Sequence, residues 1–360
     1  MSRFWSDRIA DLAPYTPGEQ PKVNGLLKLN TNENPYGPSP RVIEAIGAQA
    51  DDRLRLYPDP ESRALRESIA RQHGVEPSQV FVGNGSDEVL AHVFRALFLH
   101  GTRPLLMPDI TYSFYSTFCQ LYQVPYEIIP LADDFSLSIS DYTTARAVAP
   151  AGIIFANPNA PTGMSVSVAD IEAIAAAHPD TPVVVDEAYV NFGCESAIAA
   201  LGRHENLVVI HTFSKSRSLA GMRVGFAVAG AAIIEGLVRV KDSFNSYPLD
   251  RLAQAAAQAA VEDVDYFRST CDRIVRTRAH LVQQLGSLGM QVLPSQANFV
   301  FARYPGVAGA SLFASLRQRH ILVRHFAQPR IHDFLRITVG TESDCERLCN
   351  GLTEILRNAR

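Results

Sequence analysis

Between residues 80 and 230 the chain repeats one pattern, a short apolar run that ends in polar residues: VFVGNG (80–85), PLLMP (104–108), GIIFANP (152–158), TPVVVDEAYV (181–190), LVVIHTFSK (207–215) and RVGFAVA (223–229). The runs are continuous and rich in β-branched residues, which predicts strands buried on both faces. Helical patterns lie between several of them. In SDEVLAHVFRALFLHG, the residues Val89, Leu90, Val93, Phe94 and Leu97 share one face of a helix. Ser86, followed by acids at 87 and 88, is the predicted N-terminal cap. Strands alternating with helices predict an α/β fold with a mostly parallel sheet covered by helices. From about residue 250 the sequence reads as one or two long helices, and QANFVFARY and DFLRITVG then read as strands of a smaller α+β unit. Residues 1–40, rich in Pro, Gly and Asn (TPGEQP, NTNENPYGPSP), read as an extended arm. The expected organisation is an arm over 1–40, a large domain over 41–250 and a small C-terminal domain over 251–360.

A length of 360 residues accommodates this division, and 47% apolar with 19% charged residues is an ordinary globular composition. The net charge of −4 gives no footprint for nucleic acid or an anionic membrane, so any bound anion must be held by local groups. Five scattered cysteines without a C-x-x-C pair suit free thiols in a reducing compartment. Cys345 and Cys349, four apart on a helical pattern, read as structural, and no metal is expected. The first residues are too charged and proline-rich for a signal peptide, and no apolar stretch approaches the roughly 18 residues of a membrane span. A cytoplasmic protein is expected.

Chemistry enters with one residue. Only four of the 33 basic residues are lysines: Lys22 and Lys28 in the arm, Lys241 in a helical pattern, and Lys215 in a loop at the end of an apolar run. Lysine differs from arginine in having an amine that can lose its proton and become a nucleophile. In parallel α/β sheets ligands sit beyond the carboxyl ends of the strands. The residues ending the runs there include Asn84-Gly85-Ser86, Asn157-Pro158-Asn159, Asp186 and Ser214-Lys215. An amine and a carboxylate on one rim suit pyridoxal phosphate: the amine bonds the aldehyde and the carboxylate keeps the ring nitrogen protonated. Gly85-Ser86-Asp87 at a helix start would hold the phosphate, with Ser214 and Arg223 completing the cup. A nicotinamide site at GNGSDE is disfavoured because the third glycine of that fingerprint is missing.

The motifs APYTPGEQP, LNTNENPYGP, RLYPDP, GNGSDE, NPNAPTG, VVVDEAYVNF, TFSKSRSLAGMRVGF, SYPLDR and FLRITVG follow one another along nearly the whole chain. In this order they resemble the fold type I pyridoxal-phosphate enzymes of aspartate-aminotransferase-like fold, and among them the histidinol-phosphate aminotransferases (class II-type). The resemblance implies Lys215 as the lysine bonded to the cofactor, Asp186 as partner of the ring nitrogen and Tyr189 as donor to the phenolic oxygen. It implies Ser86, Asp87, Ser214 and Arg223 at the phosphate, and Tyr112 stacked on the ring. Tyr57 is implied to reach the phosphate of the neighbouring subunit in a homodimer, the arm contributing to dimer contacts. Arg336, with Arg324 and Tyr15, is implied to hold the substrate's anionic group. The sequence departs from the usual pattern at Ala160, where the family has an asparagine before Pro-Thr-Gly. That leaves Asn159 or Asn157 for the contact to the phenolic oxygen, and Asn159 is favoured. His211 reads as a packed strand histidine. The implied reaction is transamination between L-histidinol phosphate and 2-oxoglutarate, giving imidazole acetol phosphate and glutamate in histidine biosynthesis. Alternatives on the same fold are an aromatic amino-acid aminotransferase and a threonine-phosphate decarboxylase.

Overall fold

The computed structural model describes residues 2–7 and 9–357. The strands are, in chain order, Leu27–Lys28 (β1), Val80–Asn84 (β2), Leu105–Pro108 (β3), Tyr126–Ile129 (β4), Gly152–Ala156 (β5), Val183–Asp186 (β6), Leu207–Thr212 (β7), Val224–Ala229 (β8), Gln291–Val292 (β9), Phe299–Arg303 (β10), Ile321–Leu322 (β11), Arg324–His325 (β12) and Leu335–Thr338 (β13). Seven of them form the central sheet in the order β2-β8-β7-β6-β5-β3-β4. Strands β3 to β7 are parallel, whereas β8 runs antiparallel to both β7 and β2. The sheet is thus mostly parallel, as expected. The reversal of β8 follows from its connection: residues 213–223 (223 − 213 + 1 = 11) are too few for a crossover helix.

Strands β5 to β8 are buried along their whole length. Successive residues enter opposite cores. Val183 and Val185 pack in one apolar cluster while Val184 packs in the other, and β7 divides Val209 from Val208 and Ile210 in the same way. This two-sided burial is why the runs are continuous, and each fully buried Val or Leu contributes about 1.5–3 kcal/mol. The edge strand β4 is mostly exposed and carries no such run, so periodicity alone does not mark it.

The C-terminal strands form a four-stranded antiparallel sheet, β12-β13-β10-β9. The arm strand β1 pairs in parallel with β11, Leu27 opposite Ile321, and Leu27 and Leu29 pack in one cluster with Ile274, Val300, Leu335 and Leu352. The long helical pattern divides at Asp263, which closes the helix Arg251–Glu262 and caps Val264–Ser287. The first of these helices buries Ala253, Ala256, Ala257, Ala260 and Val261 in the core of the large sheet.

At the carboxyl end of β2 the helix Gly85–Leu97 begins without a loop, and Gly85 turns the chain at φ 81°. Ser86 therefore lies in the first turn and is not the cap. Asn84 holds that position, and the Glu88 carboxylate accepts its backbone N–H. Gly225 of β8 lets this turn approach, because a Cβ there would overlap the Ser86 backbone. Asn84, Ala156, Asp186 and Thr212 end strands of one direction and so define one rim.

Candidate active site

A cleft of about 450 Å³ opens over this rim. It gathers Ser86, Asp87, Tyr112, Asp186, Tyr189, Ser214, Lys215 and Arg223 from the large sheet, with Arg324 and Arg336 from the C-terminal sheet and Tyr15 from the arm. These are the expected residues with two exceptions, Asn159 and Tyr57.

The Lys215 amine donates to the carbonyl of Thr31 at 2.8 Å. Burial, helped by the positive charge of Arg336, brings its pKa down to about 8, so an appreciable fraction is neutral near neutrality. Asp186 is buried at the end of β6, where Oδ2 accepts from the Tyr115 hydroxyl at 2.9 Å and Oδ1 from the Ala188 N–H at 3.2 Å. Burial raises its pKa to about 6, and these two donors work against the rise. A carboxylate so placed gains from a cationic partner brought against it.

The Arg223 guanidinium lies across the start of the helix Gly85–Leu97. It donates to Asp87 Oδ2 at 2.9 Å and to Ser214 Oγ at 3.4 Å. A Cβ at Gly85 would collide with that guanidinium. The Tyr112 hydroxyl donates to the other oxygen of Asp87 at 3.0 Å. A helix start, a hydroxyl and a guanidinium thus converge beside the Asp87 carboxylate, a donor set able to receive an anion.

At the opposite side, Arg324 and Arg336 are register partners on β12 and β13. Arg336 donates to the Asn30 carbonyl at 2.9 Å, and its Nε has no partner among the described residues. Burial lowers its pKa, and the Arg324 charge acts in the same sense. Tyr15 stands beside them, its ring 4.7 Å from Phe114 and 6.2 Å from Tyr112. Two adjacent cations walled by the rings of Phe299 and Phe326 make a second anion site.

Neither of the two asparagines lines this cleft. Asn157 spends its amide on both backbone groups of Val166, and Asn159 donates to the Ile110 carbonyl and to Thr162. Both side chains brace the loop after β5, and the wall of the cleft is the methyl group of Ala160. Tyr57 is 79% exposed and stacks on Tyr247 with ring centroids 4.6 Å apart, away from the cleft of its own chain. His211 packs in β7, bonded to Glu187 at 2.8 Å with His73 edge-on to it, as a strand histidine should. Cys345 and Cys349 are buried, and no group able to hold a metal ion occurs among the described residues.

Three site residues have no place in the sequence reading. Tyr115 holds Asp186, Thr31 holds the lysine, and Asn32 donates to the Tyr189 hydroxyl at 3.0 Å. Tyr115 follows Tyr112 at helical spacing, and NTNENP is a polar cluster otherwise unexplained in the arm. Those are the signals that would have found them.

The profile of the family described as aminotransferase class I and II matches residues 24–352. The chain is 59% identical to histidinol-phosphate aminotransferase 1 of Bordetella parapertussis over 355 residues, 99% of each chain. It is 57% identical to histidinol-phosphate aminotransferase 2 of Burkholderia lata, covering 99% of this chain and 100% of that one. The crystal structure of histidinol-phosphate aminotransferase from Sinorhizobium meliloti in complex with pyridoxal-5′-phosphate superposes with a TM-score of 0.81 at 25% identity, covering 92% of this chain and 91% of that one. A family profile over residues 24–352 and relatives 57–59% identical along almost the whole length show the family: the chain belongs to the aminotransferase class I and II family.

Proposed function

We propose that this chain is a pyridoxal-phosphate-dependent aminotransferase. It transfers the amino group between L-histidinol phosphate and 2-oxoglutarate, giving imidazole acetol phosphate and glutamate, and so serves histidine biosynthesis. The observation that carries this reading is the placement of Lys215 and Asp186 in one cleft between the Arg223 cup and the Arg324–Arg336 pair.

The residues present fit the cofactor. Lys215 has a depressed pKa and a single carbonyl contact to give up. The cup offers the Arg223 guanidinium, the Ser214 hydroxyl and the start of the helix Gly85–Leu97 to a phosphate, and Asp186 lies buried with capacity for one more donor. When bound, pyridoxal phosphate supplies an aldehyde for amines and a ring that accepts electrons from the adjacent carbon. Every other role belongs to the chain. Lys215 holds the cofactor and, once released, moves the proton at the substrate carbon. Asp186 keeps a proton on the ring nitrogen, Tyr189 donates to the phenolic oxygen, and Tyr112 covers the ring face. Ser86, Asp87, Ser214 and Arg223 hold the phosphate. Arg336, Arg324 and Tyr15 receive the substrate's anion, the phosphate of histidinol phosphate in one half-reaction and a carboxylate of glutamate in the other.

The decisive experiment mixes the holoenzyme with one donor at a time and follows the cofactor's absorption. Histidinol phosphate and glutamate are expected to convert it, phenylalanine and tyrosine to do so far less. Carbon dioxide release from threonine phosphate would redirect the assignment to a decarboxylase. Arg336→Met is expected to raise KM for both histidinol phosphate and 2-oxoglutarate by roughly 10²-fold, the scale of a lost charge-assisted contact. A rise confined to one substrate in steady-state assays would separate the two anion sites.

A homodimer is part of the proposal, with Tyr57 reaching the phosphate of the partner's cofactor. Support comes from the exposed apolar side chains of Leu54, Leu56, Tyr57, Phe244 and Tyr247, of which Tyr57 and Tyr247 stack on each other. Mixed dimers of Lys215→Ala and Tyr57→Ala put both lesions in one site and leave the other intact, so activity of about one site per dimer should return. A purified, differentially tagged heterodimer no more active than the Tyr57→Ala homodimer would refute the shared site. We also place the start of the small domain at about residue 263, not 251, since the helix Arg251–Glu262 packs in the core of the large sheet. Residues 1–40 remain an arm. No helix among the described residues is long and apolar enough to cross a membrane, and a cytoplasmic location suits the proposed pathway.

A further inference from the structure

The Tyr189 hydroxyl has one proton, and its neighbours decide where that proton points. Asn32 Nδ2 donates to the hydroxyl oxygen at 3.0 Å. The Asn32 carboxamide is itself fixed. Its backbone N–H donates to Thr338 Oγ1 at 3.0 Å, leaving the threonine's own proton for Asn32 Oδ1 at 3.1 Å. The Asn32 carbonyl accepts from Asn298 Nδ2 at 2.9 Å. With Oδ1 committed as an acceptor, Nδ2 is the end that faces Tyr189. The Tyr189 oxygen thus accepts from Asn32 and must donate its proton elsewhere. Around the ring lie Ala160, Ala297 and Phe299, whose side chains accept nothing, and the remaining direction is the cleft.

We propose that Asn32 is a positioning residue of the reaction, aiming the Tyr189 proton into the cleft and strengthening it as a donor to the cofactor's phenolic oxygen. The inference rests on the role given to Tyr189 above. A hydroxyl that accepts one hydrogen bond donates the next more strongly. At Ala160 the wall beside Tyr189 offers only a methyl group, so the phenolic oxygen depends the more on Tyr189. The charged groups facing Tyr189 are Arg336, Asp186, Asp87 and Lys215, and substitution of Asn32 by a neutral residue alters none of them. Thr31, the preceding residue, carries the carbonyl that holds the lysine amine. One dipeptide of the arm therefore orients two reacting groups.

The test is a pH titration of the holoenzyme, following the visible absorption of the lysine-bound cofactor. Its midpoint falls as the phenolic oxygen is better stabilised as an anion. Asn32→Gly keeps the left-handed backbone at φ 57° and removes the donor. Asn32→Asp keeps the shape but draws the Tyr189 proton to itself. The midpoint is expected to rise by about 0.5 pH unit in the first variant and about 1 in the second. Tyr189→Phe should raise it at least as far, and adding Asn32→Gly to Tyr189→Phe should change nothing more. Thr338→Val, which frees the carboxamide to turn over, should also raise it, and serves if the Asn32 variants do not load the cofactor. If Tyr189→Phe moves the midpoint while the Asn32 and Thr338 variants leave it unchanged, the role of Asn32 is overturned. Additive shifts in the double variant overturn it too, since they show a route that bypasses Tyr189. A Tyr189→Phe enzyme with the wild-type midpoint overturns instead the reading of Tyr189 itself.

Discussion

Lys215→Ala is expected to lose turnover by on the order of 10⁵-fold, since the group that bonds the cofactor and the group that moves the substrate proton disappear together. The phosphate cup is untouched, so the variant should still bind pyridoxal phosphate while lacking the absorption of the lysine-bound form. Borohydride reduction of the native enzyme should fix the cofactor on a peptide containing residue 215. The other lysines in the described structure make poor competitors. Lys241 is buried against Asp242 and the Pro60 carbonyl, Lys28 is paired with Glu33, and Lys22 is exposed in the arm outside the cleft. Label on any of the three would discard the assignment of Lys215.

Asp186→Asn should retain the lysine-bound cofactor yet slow transamination by about 10³-fold, equivalent to about 4 kcal/mol of transition-state stabilisation. An amide of the same shape keeps the Tyr115 contact but offers no negative charge to hold a proton on the ring nitrogen. Exchange of the substrate's Cα hydrogen with solvent measures the affected step directly. Near-normal exchange in this variant would mean that the ring does not need its nitrogen protonated here, and the part given to Asp186 would fall.

Much of the scaffold is legible in the chain because two-sided burial leaves a strong trace. VVVD and LVVIHT can be read as inner strands without knowing their neighbours, and so can the polar residues that end them. Direction is not legible in the same way. RVGFAVA looks like its parallel neighbours, and only the length of the preceding loop reverses it. The alanine-rich face of the helix Arg251–Glu262 fits either core by sequence, and it packs in that of the large sheet. Within the cleft, the residues legible in the sequence are those whose type suggests chemistry: an amine, a carboxylate and guanidiniums. Asn32 and Tyr115 are not legible, because what they do depends on which oxygen they reach across 157 and 71 residues of chain. The place of Asn159 is illegible for the complementary reason. Being next to Ala160 in sequence did not put its amide in the cleft, since Ile110 and Thr162 had prior geometric claim to it.

The pairing of β1 with β11 also sets a clock on biosynthesis. Leu27 meets Ile321, which leaves the ribosome 294 residues later (321 − 27). At about 5–20 residues per second that is a wait of roughly 15–60 s. All strands of the central sheet, Lys215 and Asp186 included, are translated before β11 exists. Thr31 and Asn32 are held through Asn298 and Thr338, so they settle only near the end of synthesis. A nascent chain stalled after the central sheet would thus own the lysine and the carboxylate but lack the carbonyl and the amide that aim its reacting groups. Competence to load the cofactor productively should appear late and abruptly along the nascent chain.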